Sequence, residues 1–238
     1  MEDISKLIKI IDESKNLVFF GGAGVSTASG IPDFRSANGL YVQNRELAPE
    51  TIISNSFFYS HTKDFYDFYV NKMIFPNAKP NIVHKKLAQW EMAGKNITVI
   101  TQNIDNLHQL AGSKNVIELH GSVYRNNCIK CGKFFDVDYI INAKGVPICD
   151  KCGGLVKPDV ILYGEPLNNE MWEQAFMAIA KADTMIVAGT SLVVYPAASL
   201  INHFNGKNLI VINNTPTQAD KLATIVINKD LASVFEKF

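Results

Sequence analysis

Cysteine is scarce in this 238-residue chain: there are four, all between positions 128 and 152. Net charge is absent, since Lys+Arg and Asp+Glu both number 23. No global basic field therefore draws nucleic acid, and direct nucleic-acid binding is not expected. No apolar run approaches the roughly 18 residues of a membrane span, and Met1–Ile11 lacks the charged-then-apolar form of a secretory leader. Internal repeats and low-complexity linkers are missing as well. These absences predict a soluble, cytoplasmic, monomeric protein with no membrane partner. A hydrophobic content of 47% is enough for a sizeable core and excludes wholesale disorder.

The few cysteines are informative in their placement. Cys128/Cys131 and Cys149/Cys152 are two Cys-x-x-Cys pairs with 17 residues between them. Zn²⁺ takes four thiolates in a tetrahedron, and each Cys-x-x-Cys turn brings two sulfurs to one metal. Gly132, Gly153 and Gly154 follow the second cysteine of each pair and allow tight turns. Two disulfides or one redox pair are the competing readings, and a reducing context favours zinc. Such a site is closed and structural, so the chemistry lies elsewhere.

Short apolar runs at Leu17–Phe20, Ile97–Thr101, Val116–Leu119, Thr184–Ala188, Leu209–Ile212 and Thr224–Ile227 have the length of buried strands. They alternate with helical spacing in Ile4/Leu7/Ile8/Ile11, Trp172/Ala175/Phe176/Ile179 and Leu231/Val234/Phe235/Phe238. Gly94 and Gly206 stand where helices beginning near Asn81 and Pro196 should stop. The pattern predicts an α/β fold with a doubly wound, Rossmann-like parallel sheet. Two stretches break it: an aromatic-rich insert over 36–80 and the cysteine segment over 122–156. They are expected to pack together as a smaller domain, helical module beside zinc ribbon, leaving 1–35, 81–121 and 157–238 for the nucleotide-binding domain. The stripe of Phe57, Phe58, Tyr59, Phe65, Tyr66, Phe68 and Tyr69 reads as core or groove wall.

The first strand runs into Gly21-Gly22-Ala23-Gly24-Val25-Ser26, a turn whose amides, with a helix N-terminus, suit a pyrophosphate. Thr27 replaces the third glycine of the common dinucleotide fingerprint, and no second strand ending in an acid follows about twenty residues on. Four further loops follow expected strands or this turn: Gly30-Ile31-Pro32-Asp33-Phe34-Arg35-Ser36, Gln102-Asn103-Ile104-Asp105, His120-Gly121 and Gly189-Thr190-Ser191-Leu192. Ligands of open α/β sheets lie beyond the strands' C-terminal ends, so these loops should converge. Among the histidines only His120 sits at a strand end beside a glycine; His61, His84, His108 and His203 read as structural.

These motifs, with the cysteine quartet, Pro158-Asp159-Val160 and Gly164-Glu165, occur in one order from about Asn16 onward, and together the chain resembles a sirtuin, an NAD-dependent protein-lysine deacylase. The resemblance implies NAD and one structural zinc as cofactors. It places the pyrophosphate at Ala23, Gly24, Thr190 and Ser191, with Gly22, Ser26, Thr27 and Gly189 also among the cofactor-binding residues. The adenosine ribose falls to Asn213 and the nicotinamide to Ile31, Asp33, Asn103, Ile104 and Asp105; Phe34, Arg35, Gln102, His120, Asp230 and Leu231 complete the cofactor-binding set. The implied reaction is attack of the acyl-lysine oxygen on C1′ of the nicotinamide ribose, loss of nicotinamide, and transfer of the acyl group to ADP-ribose. Asn103 and His120 would be catalytic, His120 as general base toward a ribose hydroxyl. Asp105 and Arg35 would otherwise fix the loops through a salt bridge.

Acetyl-lysine proteins would bind as an extended strand between Val160/Tyr163/Gly164/Glu165 and Val193/Val194/Tyr195. Phe34, Ile104, Val160 and Tyr163 would line an apolar tunnel for a neutral acyl-lysine. Three departures stand out. Tyr163 replaces the family's common phenylalanine, Ala28 an acid, and Tyr41 and Arg45 are four apart where desuccinylases have Tyr-x-x-Arg. A mono-ADP-ribosyltransferase is the alternative enzyme, disfavoured by His120. A zinc-ribbon binding module is the alternative of another class, disfavoured by the spread of Lys130, Lys133, Lys144 and Lys151.

Overall fold

A computed structural model describes residues 2–34, 39 and 47–238. Arg35, Ser36, Tyr41 and Arg45 lie outside the described residues. The helices are α1 (Glu2–Glu13), α2 (Pro49–Ile52), α3 (Asn55–Ser60), α4 (Thr62–Lys72), α5 (Ile82–Met92), α6 (Leu107–Ala111), α7 (Val137–Ile141), α8 (Asn169–Lys181) and α9 (Leu231–Phe235). The strands are β1 (Leu17–Gly21), β2 (Ile97–Thr101), β3 (Val116–Glu118), β4 (Gly121–Cys128), β5 (Phe134–Phe135), β6 (Val156–Val160), β7 (Thr184–Ala188), β8 (Asn208–Ile212) and β9 (Ile225–Ile227).

Six strands form a parallel sheet in the order β3-β2-β1-β7-β8-β9. All six expected strands are in it. Alternation along β1 sends Leu17 and Phe19 to one face and Val18 and Phe20 to the other. The first face packs on Leu7 and Ile11 of α1, Val83 and Leu87 of α5, and Val234 and Phe235 of α9. The second packs on Ala175 and Ile179 of α8 and on a 3-10 helix at Ala197–His203. Both faces being covered, the strands are near-continuous apolar runs.

Two helix stops were expected at glycines, and they differ. Gly94 ends α5 in the left-handed region, φ 91°. The segment after Pro196 is instead a 3-10 helix that ends at Phe204 in extended backbone. Gly206 serves close approach, since a Cβ there would lie 2.4 Å from the Ala182 carbonyl oxygen.

A third apolar cluster lies outside the large sheet. Phe58, Phe65, Tyr66 and Tyr69 from α3 and α4 are buried against Val123, Phe135, Val137, Ile140 and Val156, and the Tyr66 hydroxyl donates to the Val156 carbonyl. The aromatic stripe is core, with Tyr59 alone largely exposed. β5, β4 and β6 form the small antiparallel sheet of this body.

His84 and His108 are fully buried, their rings 4.6 Å apart between centroids. His84 Nδ1 accepts the Asn81 N–H at 3.3 Å. His84 Nε2 and both His108 ring nitrogens have no hydrogen-bond partner among the described residues. Burial pushes the His84 pKa down to about 4, and burial with the neighbouring His84 pushes His108 well below its ordinary value. The unfolded chain therefore takes up protons first as pH falls. This stability is complete above about pH 6.5 and is lost progressively toward pH 4, with His84 alone worth about 3 kcal/mol over that window. Denaturant unfolding at pH 7.5, 5.5 and 4.5 should show the loss, and a His108→Leu variant should show a shallower pH slope than the native chain.

Candidate active site and zinc centre

The large sheet reverses its winding between β1 and β7, and β1, β2 and β7 end side by side there, with Gly21 opposite Thr101 and Ala188. The glycine turn and the Gly189 loop leave these strands in contact. The Gly24 N–H donates to the Gly189 carbonyl at 2.8 Å, and a Cβ at Gly24 would lie 2.8 Å from Gly189 Cα. Directly after the glycine turn the described residues form no α-helix, contrary to the sequence expectation. Two 3-10 turns, Ala23–Val25 and Thr27–Ser29, take its place. The Thr27 hydroxyl donates to the Gly24 carbonyl at 3.0 Å.

The loop after β2 is tied into this crevice. Gln102 donates from Nε2 to Thr190 Oγ1 at 3.2 Å, and its backbone N–H donates to the Gly21 carbonyl. Ser26, almost fully buried, donates its hydroxyl to Asp105 Oδ2 at 2.5 Å and accepts from Asn103 Nδ2 at 3.0 Å. Asp105 Oδ1 accepts the Leu107 N–H at 2.9 Å. Burial raises the Asp105 pKa, against these hydrogen bonds. Asp105 thus fixes the loops through Ser26, among the described residues.

His120 stands between β3 and β4. Its Nδ1 lies 2.9 Å from the Gln102 carbonyl oxygen. A carbonyl only accepts, so Nδ1 carries the hydrogen and Nε2 of the neutral ring is the acceptor. Burial lowers the His120 pKa and favours that neutral form, the Gln102 bond working in the other direction. The next residue has no alternative to glycine: Gly121 has φ 76°, and a Cβ there would fall 1.9 Å from the Asp159 carbonyl oxygen.

The adenosine-side residues are engaged differently. Asn213 donates from Nδ2 to the Thr215 carbonyl at 2.7 Å. Asp230 caps α9 by accepting the Ser233 N–H, and the Leu231 side chain is in the core. Ser191 is exposed and Thr190 buried. Ile31, Asp33 and Phe34 are partly buried, with Phe34, Ile104 and Val160 joined to the third cluster. Tyr163 stands apart from that cluster and is 37% exposed.

The loop from Val160 to Glu165 is held from inside. Tyr163 N–H donates to the Ile53 carbonyl and its carbonyl accepts from Asn55 N–H. Glu165, expected to face a substrate, accepts from Asn55 Nδ2 at 2.8 Å through one oxygen. Its other oxygen takes the Leu162 N–H at 2.9 Å and Lys157 Nζ at 3.1 Å. Across the crevice mouth Val193 and Tyr195 are exposed. Sequence reasoning missed Asn55 and also Arg125, which bridges Glu118 at 2.7 Å and Asp159 at 2.8 Å. Asn55 meets Glu165 110 positions away and Arg125 meets Asp159 34 away, spans that leave no local sequence signal. A surface hollow of about 510 Å³, lined by Asp136, Tyr139, Lys144 and Ile148 among others, shares none of the crevice residues.

The four cysteine sulfurs lie within 4.8 Å of one another, Cys128 to Cys152 at 3.4 Å and Cys131 to Cys149 at 3.7 Å. A zinc tetrahedron with bonds of about 2.3 Å has sulfurs about 3.8 Å apart, so the donor set fits the metal. Gly132 and Gly153 take left-handed φ of 69° and 68°. Gly154 instead makes room, since a Cβ there would lie 2.9 Å from Cys128 Sγ.

A doubly wound sheet with a crevice at its switch point and a four-thiol module is the architecture of an NAD-binding enzyme with a structural zinc. A family model described as the Sir2 family matches residues 22–196. An NAD-dependent protein deacetylase of Clostridium perfringens is 57% identical over 100% of this chain and 99% of its own length. One of Clostridium acetobutylicum is 55% identical, covering 99% and 98%. Among solved structures, a Sir2 variant with deacetylated p53 peptide and 3′-O-acetyl-ADP-ribose superposes with a TM-score of 0.91 at 40% identity, covering 99% of this chain and 96% of that one. A Sir2 complex with p53 peptide and NAD⁺ has a TM-score of 0.87 at 41% identity, covering 98% and 96%. The chain belongs to the Sir2 family.

Metal analysis of the purified protein should find one zinc per chain. Chelation, or a Cys149→Ala substitution, should remove it and lower the melting temperature; a metal-free protein of unchanged stability would contradict the structural role.

Proposed function

We propose that this protein is an NAD-dependent protein-lysine deacetylase that moves the acetyl group of acetyl-lysine to ADP-ribose, releasing nicotinamide and O-acetyl-ADP-ribose. The observation that carries the reading is His120, whose Nδ1–H is committed to the Gln102 carbonyl while Nε2 is left as a base at the convergence of the three loops. Bound NAD supplies an electrophilic ribose carbon, a leaving nicotinamide and the hydroxyls that accept the acyl group.

Every other role falls to the chain. The backbone of Ala23–Gly24 and Gly189–Ser191 holds the pyrophosphate, and the Ser26–Asp105–Asn103 hydrogen-bond set fixes the loop facing the nicotinamide. His120 Nε2 takes the proton of a ribose hydroxyl, a contribution of about 10²–10⁴ in rate. Its lowered pKa keeps it unprotonated at neutral pH, so activity should be retained through pH 7 and lost below the histidine's ordinary range. Phe34, Ile104 and Val160 give an apolar passage that admits a neutral acyl-lysine and penalises a charged one.

The substrate peptide adds as a strand between the Val160–Glu165 loop and Val193–Tyr195, reading main chain more than side chain. Glu165 serves there by holding its loop. In this reading 1–35, 81–121 and 157–238 bind the nucleotide, and 36–80 with 122–156 form the smaller domain. We place the enzyme in the cytoplasm, as a monomer acting on proteins; no helix among the described residues is long and apolar enough to cross a membrane.

Mass spectrometry of an acetyl-lysine peptide, with and without NAD, tests this. NAD-dependent loss of acetyl with formation of O-acetyl-ADP-ribose is expected, falling about 10²–10⁴-fold in His120→Ala. An unchanged peptide with ADP-ribose attached to protein would replace the reading by a transferase, and untouched NAD would remove it.

A further inference from the structure

Asn81 is the residue preceding α5. Its Oδ1 accepts the Val83 N–H at 2.9 Å, and its own N–H donates to His84 Nδ1, completing a capping box. A cap uses only the side-chain oxygen. The amide nitrogen does something further, donating to the Val25 carbonyl at 2.8 Å and to Ser29 Oγ at 3.0 Å. Val25 follows Gly24 directly, and Ser29 precedes Gly30, where φ is 83°. From the other side, Ser26 is held by Asp105 and Asn103. The segment Val25–Ser29 is therefore gripped by two separate elements, the loop after β2 and the first turn of α5. Beyond Gly30, where a Cβ would meet nothing within 4 Å, the chain continues to Ile31 and Phe34.

We propose that Asn81 is a positioning residue for NAD binding: its amide anchors Val25–Ser29, the turn that carries Ser26 and Thr27 directly after the glycine turn, and its oxygen ties that turn to helix α5. The inference rests on the NAD-dependent reading above. Losing the amide removes no crevice side chain but lets the Val25–Ser29 turn, with Ser26 and Thr27, leave its binding-competent position. Apparent NAD affinity then falls by the fraction of time the turn is competent. Two neutral hydrogen bonds, each worth about 0.7 kcal/mol, correspond to about a tenfold effect.

Asn81→Asp separates the two functions, since a carboxylate caps a helix as well as an amide does but has no hydrogens for Val25 or Ser29. Initial rates with acetyl-lysine peptide should show KM for NAD raised about tenfold, KM for peptide unchanged and the melting temperature retained. Asn81→Ala, which loses the cap as well, should show the same KM change together with a lower melting temperature. Ser29→Ala removes one acceptor and should raise KM for NAD about threefold, which decides the matter if neither Asn81 variant folds. A folded Asn81→Asp protein, or in its absence a Ser29→Ala protein, with native KM for NAD overturns the proposal, as does an equal rise in both KM values. If the native protein itself shows no NAD-dependent deacetylation, the functional reading fails; calorimetric NAD affinity then still decides the clamp, weaker binding by Asn81→Asp supporting it and equal or absent binding overturning it.

Discussion

The contact of Gly24 with Gly189 sets the spacing on which the crevice depends. At the switch point two neighbouring parallel strands send their chains to opposite sides, and the gap between them is where a ligand enters. Here the two departing loops touch backbone to backbone, and a methyl group on either residue would overlap the other loop. Gly189 also has φ 57°, a conformation that side chains disfavour. With the loops locked, amides and side chains of Gln102, Thr190 and Ser26 hold fixed positions relative to one another, so a ligand need not organise them.

Burial then sets the protonation states. Ser26 and Thr190 are buried, and Asp105 and His120 are drawn partly out of water, which opposes the charge on each. The two groups respond differently because their partners differ. Asp105 is surrounded by donors, the Ser26 hydroxyl and the Leu107 amide, that favour its carboxylate. His120 has one partner, the Gln102 carbonyl, and that partner fixes the tautomer without demanding a second proton. One environment thus holds a carboxylate that orients loops, the other a neutral imidazole whose Nε2 is its acceptor.

The large sheet was legible because each strand is buried on both faces, so its whole sequence is an apolar run that needs no tertiary information. The cysteine spacing likewise declared four ligands. Less local features were not legible. The glycine turn reads as a helix start, yet the chain makes two 3-10 turns, because Ser26 and Val25 are held by Asp105 and Asn81 from positions 79 and 56 residues away. Glu165 is a substrate contact only by the family resemblance, and the sequence does not show what else its carboxylate meets. Its carboxylate is consumed by Lys157, Leu162 and Asn55, a set that only folding assembles. Chemistry-bearing residue types mark a site well; which of them face the ligand and which support those that do is decided by contacts invisible along the chain.

His120 occupies the one place where the chain passes from the large sheet to the small one. Glu118 is the last residue of β3 and Gly121 the first of β4, which pairs with β6 through Gly121 and Val160. The His120 carbonyl accepts the Ile161 N–H while its ring faces Gln102 of the large sheet, so the base is fastened to both bodies at once. Arg125 reinforces the junction by joining Glu118 on one side to Asp159 on the other. The pair is half exposed at Asp159 and buried at Glu118, so its Coulomb energy is modest on the outer side and its geometric effect is the larger one. His120 and Val160 are thereby held in one bonded unit, Gly121 pairing with Val160 and the His120 carbonyl taking the N–H of the residue after it.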